Sequence, residues 1–288
     1  MRFLNGFSAI ASEYDGFVLD LWGVIHDGVN AFPHAVDTLT RLRDMGKRTL
    51  LLSNVPRPND AVRAMMRRMG IEDGLYTGIL TSGEAVRRAL QSPPDAWWSA
   101  LGNRVYHLGP ERDRPVLEGL TLTVVETPAQ ADFVLNTGPD DHSNPSDINE
   151  FEPVLQACRE HELPMICANP DLEVIRGGVR VLCAGSLAVR YGELGGDVRS
   201  LGKQDPAIYQ PVLAQLALPK HRVLAVGDSL RTDIAGAISA GLDVCWVLDG
   251  LHGEGLRRAD GAYDPGEVAA EARAHGLAPV AAMARFSW

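Results

Sequence analysis

Phe17-Val18-Leu19-Asp20-Leu21-Trp22-Gly23-Val24-Ile25-His26-Asp27-Gly28 decides the fold of this chain. An apolar run that reads as a buried strand ends in a carboxylate and then a glycine turn. A second unit of this kind is Val223-Leu224-Ala225-Val226-Gly227-Asp228-Ser229-Leu230-Arg231-Thr232-Asp233. A parallel α/β sheet sets such strand ends side by side, which would bring Asp20, Asp228 and Asp233 into one crevice. Three acids gathered there point to a Mg²⁺ site, because Mg²⁺ takes one or two carboxylates plus waters and a phosphate.

Alternating signals extend outward from these strands. The spacing predicts a helix over 33–45, with Pro33 in its first turn and Gly46 after its last. A strand over 48–54 and a helix over 59–69 follow. Ser82 is the expected N-cap of a short helix opening at Thr81-Ser82-Gly83-Glu84. Gln91-Ser92-Pro93-Pro94-Asp95 reads as a linker. Beyond it come apolar runs at 104–108, 121–126, 131–137 and 163–168 and a helical segment at 147–161. The first pattern is expected to resume with a strand near 199–202, a helix over 206–216, a strand over 222–227, a helix over 231–240 and a strand over 243–248. One βαβ domain, 1–90 and 185–288, is thus expected to be interrupted by a second α/β domain, 91–184.

Composition narrows the function. The chain has 288 residues, 45% of them hydrophobic and 22% charged, enough for sizeable cores. A net charge of −10 argues against nucleic acid and anionic membrane surfaces as partners. Cys158, Cys167, Cys183 and Cys245 form no C-x-x-C and read as buried free thiols of a reducing cytoplasm. No apolar run approaches the ~20 residues that span a bilayer, and residues 1–6 show no signal-peptide core. A cytoplasmic location is the expectation.

Other strand ends carry chemistry too. Ser53-Asn54 closes the second strand, where a hydroxyl and backbone N–H groups can hold phosphate oxygens, although Asn54 and Pro56 also suit a plain turn. Lys203 precedes Asp205-Pro206 at a strand-to-helix junction, a place from which it can point into the crevice. No G-x-G-x-x-G, Walker spacing, H-x-x-x-H or G-x-S-x-G frame is present.

In this order the four pieces Asp20-Leu21-Trp22-Gly23-Val24, Leu52-Ser53-Asn54, Gly202-Lys203 and Gly227-Asp228-Ser229-Leu230-Arg231-Thr232-Asp233-Ile234 resemble the motifs of the haloacid-dehalogenase-like (HAD) phosphatases. The insertion, with Asn169-Pro170-Asp171 and Cys183-Ala184-Gly185, is similar to the large α/β cap of class IIA, the NagD type. The resemblance implies a Rossmann-like parallel-sheet core with an inserted cap. It makes Asp20 the nucleophile that forms an aspartyl-phosphate. Mg²⁺ would be held by Asp20, the Trp22 carbonyl and Asp228, with Asp233 in or near its outer shell. Ser53 and Lys203 would bind the transferring phosphoryl group, with Asn54 beside them, and Asn169 and Asp171 would reach the substrate from the cap. The substrate would be a small phosphorylated metabolite, sugar- or polyol-like, and a homo-oligomer is compatible with the sequence.

Trp22 is the departure. Family phosphatases carry an aspartate there that protonates the leaving oxygen and later activates water, and indole cannot. Losing a general acid–base typically costs ~10²–10⁴-fold. A slow phosphatase, a phosphate-ligand binder or regulator, and a phosphoryl transferase or C–P hydrolase all fit this departure. His26 and Asp27, which read first as a turn with Gly28, are the nearest substitutes for the absent acid.

Overall fold

A computed structural model of the chain describes residues 1–176, 179–251 and 253–288. Its strands in chain order are β1 (Arg2–Leu4), β2 (Gly16–Leu19), β3 (Arg48–Ser53), β4 (Gly78–Thr81), β5 (Arg104–Leu108), β6 (Thr123–Val125), β7 (Phe133–Asn136), β8 (Met165–Cys167), β9 (Glu173–Arg176), β10 (Val179–Leu182), β11 (Val198–Ser200), β12 (Val223–Gly227), β13 (Asp243–Val247) and β14 (Ala281–Met283). They form a seven-stranded sheet ordered β1-β14-β13-β12-β2-β3-β4, a five-stranded sheet ordered β11-β8-β7-β5-β6, and the pair β10-β9. Two compact units result. The first is Met1–Ser53, Arg63–Leu80 and Lys203–Trp288; the second is Asn54–Val62 and Thr81–Gly202.

In the first unit every residue of β2 and β12 is buried. Continuous apolar runs of this kind belong to parallel strands covered on both faces. From β2 the chain moves outward to β3 and β4; from β12 it moves the other way, to β13 and β14. The order therefore reverses between β2 and β12, which pair in parallel with Leu19 opposite Val226. Ligands of such sheets bind beyond the carboxyl ends at that reversal, where Asp20 and Asp228 follow directly.

β2 stops at Leu19, directly before Asp20. The Asp20 carboxylate takes the Leu21 N–H at 2.6 Å, and the chain folds back with the Gly23 N–H on the His26 carbonyl at 2.9 Å. The helix Pro33–Asp44 has Pro33 at its start, as the spacing predicts, and Gly46 follows it in the left-handed region at φ +69°.

The second unit is built on alternation. Val134, Met165 and Cys167 face one cluster, with Leu155 and Cys158 of the helix Glu152–Glu160 and Leu187 of the helix Ala184–Glu193. Their neighbours Phe133, Leu135, Ile166 and Ala168 face the other cluster, with Val86 and Ala89 of the helix Ser82–Gln91. Two faces are filled because side chains alternate along each strand. All four cysteines are buried and unbridged, and burial pushes the Cys158 and Cys245 thiols up to about 12.

Two local expectations change. The strand near 199–202, expected to resume the first sheet, pairs with β8 in the second. Thr81, not Ser82, caps the helix Ser82–Gln91: its hydroxyl accepts the Glu84 N–H at 3.0 Å, while the Ser82 hydroxyl donates to the Leu201 carbonyl. No described helix is long and apolar enough to cross a membrane.

His107, in β5, places Nε2 2.9 Å from the Thr137 hydroxyl, and burial lowers its pKa from 6.5 to about 4, aided by nearby Arg114. The folded state holds this ring neutral while the unfolded chain protonates it. The resulting stability is present above about pH 6.5 and is lost as pH falls toward 4, by up to about 3 kcal/mol. Unfolding followed by circular dichroism from pH 7 to 4 should show that loss, and His107→Gln should flatten it.

Candidate active site

The carboxyl ends of β2 and β12 gather the acids of the first unit. Ligand oxygens of Asp20, Asp228 and Asp233 all lie within 4.8 Å of one another, and all three residues are buried. Lys203, 3% exposed, pairs with Asp20 and, at 2.8 Å, with Asp233. Burial pushes the Asp20 carboxyl well above the usual carboxylate range, Asp233 and Asp228 push it further, and Lys203 opposes them. Three acids against one ammonium in a buried site are costly to hold as anions unless a cation balances them. The donor set, hard oxygens in a tight group, fits a divalent cation of the Mg²⁺ or Ca²⁺ kind.

Local structure fixes each group. Asp20 Oδ1 carries both the Leu21 N–H and the Lys203 ammonium, which sets the rotation of its carboxylate. Asp233 sits in a wide helical turn, Leu230–Ile234, in which the Ile234 N–H reaches back to the Ser229 carbonyl at 3.0 Å. Its second oxygen accepts the Ser229 N–H at 3.1 Å. Asp228 is held by the indole N–H of Trp246, 3.0 Å from its carbonyl, and by the Leu251 N–H, 2.8 Å from Oδ2. A Cβ on Gly23, itself at φ +77°, or on Gly250 would overlap the Asp228 carboxylate, so both positions must be bare.

Ser53, the last residue of β3, is buried on the strand beside β2. Asn54, Asn169 and Asp171 fall in the second unit. There the Asn54 amide donates to the Asp171 carboxylate at 2.9 Å, and Asn169 Oδ1 accepts the Asp171 N–H at 3.2 Å.

Trp22 is half-buried and its indole packs on its own loop. Its six-membered ring abuts Gly28, at φ +89°, where a Cβ would collide with it. The His26 ring meets it edge-on at 5.8 Å, and His26 Nδ1 accepts the Gly28 N–H at 3.0 Å. Asp27 accepts the N–H groups of Val29 and Asn30 at 2.8 and 2.6 Å, and the Asn30 contact above all holds its carboxyl below the usual range. An exposed carboxylate ionised and occupied in this way is a poor proton donor at neutral pH, so the turn reading of His26-Asp27-Gly28 accounts for Asp27.

The sequence reading missed Trp246 and the 248–251 loop. Trp246 is hidden within the apolar run of β13. The loop carried a usable signal, because Val247-Leu248-Asp249-Gly250 repeats the strand–aspartate–glycine pattern of Asp20.

Asp228→Asn should weaken divalent-metal binding strongly while the fold survives. Metal-dependent thermal shift checks this, and an unchanged shift would remove Asp228 from the site.

Comparison with known proteins matches residues 17–123 to the haloacid dehalogenase-like hydrolase family and residues 200–274 to a HAD-hydrolase-like family. Human chronophin is 28% identical over 260 residues, 84% of this chain and 83% of that protein. A crystal structure of a haloacid dehalogenase-like hydrolase from Brucella suis 1330 superposes with a TM-score of 0.82 at 32% identity, covering 97% of this chain and 98% of the other. The glycerol phosphate phosphatase of Mycobacterium tuberculosis, solved in complex with calcium, gives a TM-score of 0.62 at 26% identity over 84% of this chain and 68% of the other. With its parallel-sheet core and its ordered strand-end acids, the chain belongs to the haloacid dehalogenase-like hydrolases and is a phosphatase-type member of that family.

Proposed function

We propose that this chain is a Mg²⁺-dependent hydrolase of phosphate monoesters of small metabolites, sugar- or polyol-like, working through an aspartyl-phosphate on Asp20. The single observation that carries the reading is the buried group of Asp20, Asp228 and Asp233 around Lys203. In this reading Asp20, Asp228 and the Trp22 carbonyl hold the metal, with Asp233 beside it, and the metal when bound supplies charge stabilisation of the phosphoryl oxygens.

Asp20 attacks phosphorus, the bond from phosphorus to the ester oxygen breaks, and the leaving oxygen departs with the bonding pair. Lys203, already on Asp20, offsets negative charge at the nucleophile and on the phosphoryl group. Ser53 and Asn54 orient the phosphoryl oxygens. Water then cleaves the aspartyl-phosphate, releasing inorganic phosphate and restoring Asp20. The family resemblance gives the second unit the role of cap, with Asn169 and Asp171 as its candidate substrate-binding residues. Asp20→Asn, assayed on any phosphomonoester that turns over, should abolish activity with the fold intact; substantial residual kcat would sink the covalent mechanism.

Trp22 adds a constraint on rate. Its indole is packed against Gly28 and His26, and Asp27 is engaged in the turn. No carboxylic acid of that loop is therefore poised to protonate a leaving oxygen, and aryl and acyl phosphates should react faster than alkyl phosphates. Trp22→Asp should raise turnover of alkyl phosphates by up to ~10²–10⁴-fold and change aryl phosphates less. Equal wild-type rates on alkyl and aryl esters would show that another group supplies the proton. The same loop favours one second reading, a phosphate-ligand binder with Trp22 in the acid's place. Absence of turnover by both wild type and Trp22→Asp on a broad panel would support it.

A further inference from the structure

Asp249 lies two residues beyond the end of β13, after Leu248, and its oxygens are outside the group formed by Asp20, Asp228 and Asp233. Its carboxylate instead gathers donors from the C-terminal part of the first unit. Tyr263 donates its hydroxyl to Oδ1 at 2.8 Å, and Arg257 pairs with the same oxygen. Arg285 reaches Oδ2 at 3.2 Å. Arg257 also donates through Nε to the Tyr263 hydroxyl at 3.3 Å and lies over that ring at 5.6 Å. The backbone is pinned as well: the N–H groups of Leu248 and Asp249 donate to the carbonyls of Met283 and Ala284 at 3.0 and 2.7 Å.

Two residues on, the held loop delivers the Leu251 N–H to Asp228 Oδ2 and brings Gly250 against the same carboxylate. A carboxylate turns easily about its last bond, and a fixed N–H donor on one oxygen removes that freedom. We propose that Asp249 is a positioning residue for the metal ligand Asp228: it anchors the 248–251 loop so that the Leu251 N–H sets the carboxylate's orientation. This rests on the reading of Asp228 as a metal ligand given above.

Energetics make the role separable from folding. The side chains of Arg257 and Arg285 are 45% and 56% exposed, against 20% for Asp249, so both pairs are open to solvent on the arginine side. Ion pairs this exposed contribute little to global stability. Groups that orient metal ligands, by contrast, typically cost about 10–100-fold in metal affinity when removed.

The test titrates Mg²⁺ into wild type, Asp249→Asn and Tyr263→Phe by calorimetry, with metal-free unfolding and p-nitrophenyl phosphate kinetics alongside. Asp249→Asn should keep the metal-free unfolding midpoint, bind Mg²⁺ about 10–100-fold more weakly, and recover kcat when Mg²⁺ is raised to saturation. The unchanged metal-free midpoint is what separates this from global destabilisation, because saturating Mg²⁺ also stabilises a weakened fold by mass action. Tyr263→Phe, which removes the hydroxyl donor, should shift affinity in the same direction. Asp249→Asn that binds Mg²⁺ as tightly as wild type overturns the proposal and leaves the phosphatase reading standing. Wild type that binds no Mg²⁺ overturns both. Should Asp249→Asn fail to fold, an unchanged affinity in Tyr263→Phe overturns the proposal.

Discussion

Three carboxylates and one ammonium share a site whose members are all less than a tenth exposed. Each additional buried charge raises the cost of the next, and the upward push on Asp20 from burial and from Asp233 and Asp228 is the local expression of that cost. Packing of the surrounding backbone follows from it. Strands β2 and β12 bring their ends together at the point where the strand order reverses, so backbone N–H groups from Leu21, Ser229 and Leu251 are available to the acids. Bare α-carbons at Gly23 and Gly250 let the chain come close enough to use them. A hydrophobic replacement of the group would be easier to bury; its clustered carboxylate oxygens suit a divalent cation.

The Trp22 indole packs on its own loop. The indole needs a flat surface, and Gly28 supplies it by having no Cβ at φ +89°. His26 completes the enclosure edge-on, the geometry that aromatic quadrupoles favour. Asp27 then caps the turn instead of facing the reaction. The acids that follow β2 and β12 keep their own contacts, so in the proposed function metal binding and proton donation are separate physical problems.

The second unit shows the other use of strand ends. Its sheet is filled on both faces by alternating residues of β7 and β8, which leaves the residues after β8 to make polar contacts. Asp171 does so with Asn169 and with Asn54, which falls in this unit although Ser53, one residue earlier, falls in the first.

Much of the first sheet was legible because two-sided burial writes a strand as an unbroken apolar run, and Asp20 and Asp228 were legible because an acid and a glycine interrupt those runs at their ends. Asp233 could be read from its place in the first turn of a helix. Other features depended on distance in space. A three-residue strand such as β11 carries no information about its partner, so its pairing with β8 emerges only from the folded sheet. Thr81 and Ser82 are equally good capping chemistries, and the direction of the backbone decided for Thr81. Trp246 looks like any core residue until its indole N–H is found on the Asp228 carbonyl. The sequence by itself determined which groups could carry charge and where strands must end, since both follow from local chemistry. Only the tertiary structure decided that Lys203 also meets Asp233, and that Leu251 meets Asp228. Those contacts join segments far apart in the chain, and their geometry is set by the packing of the sheet between them.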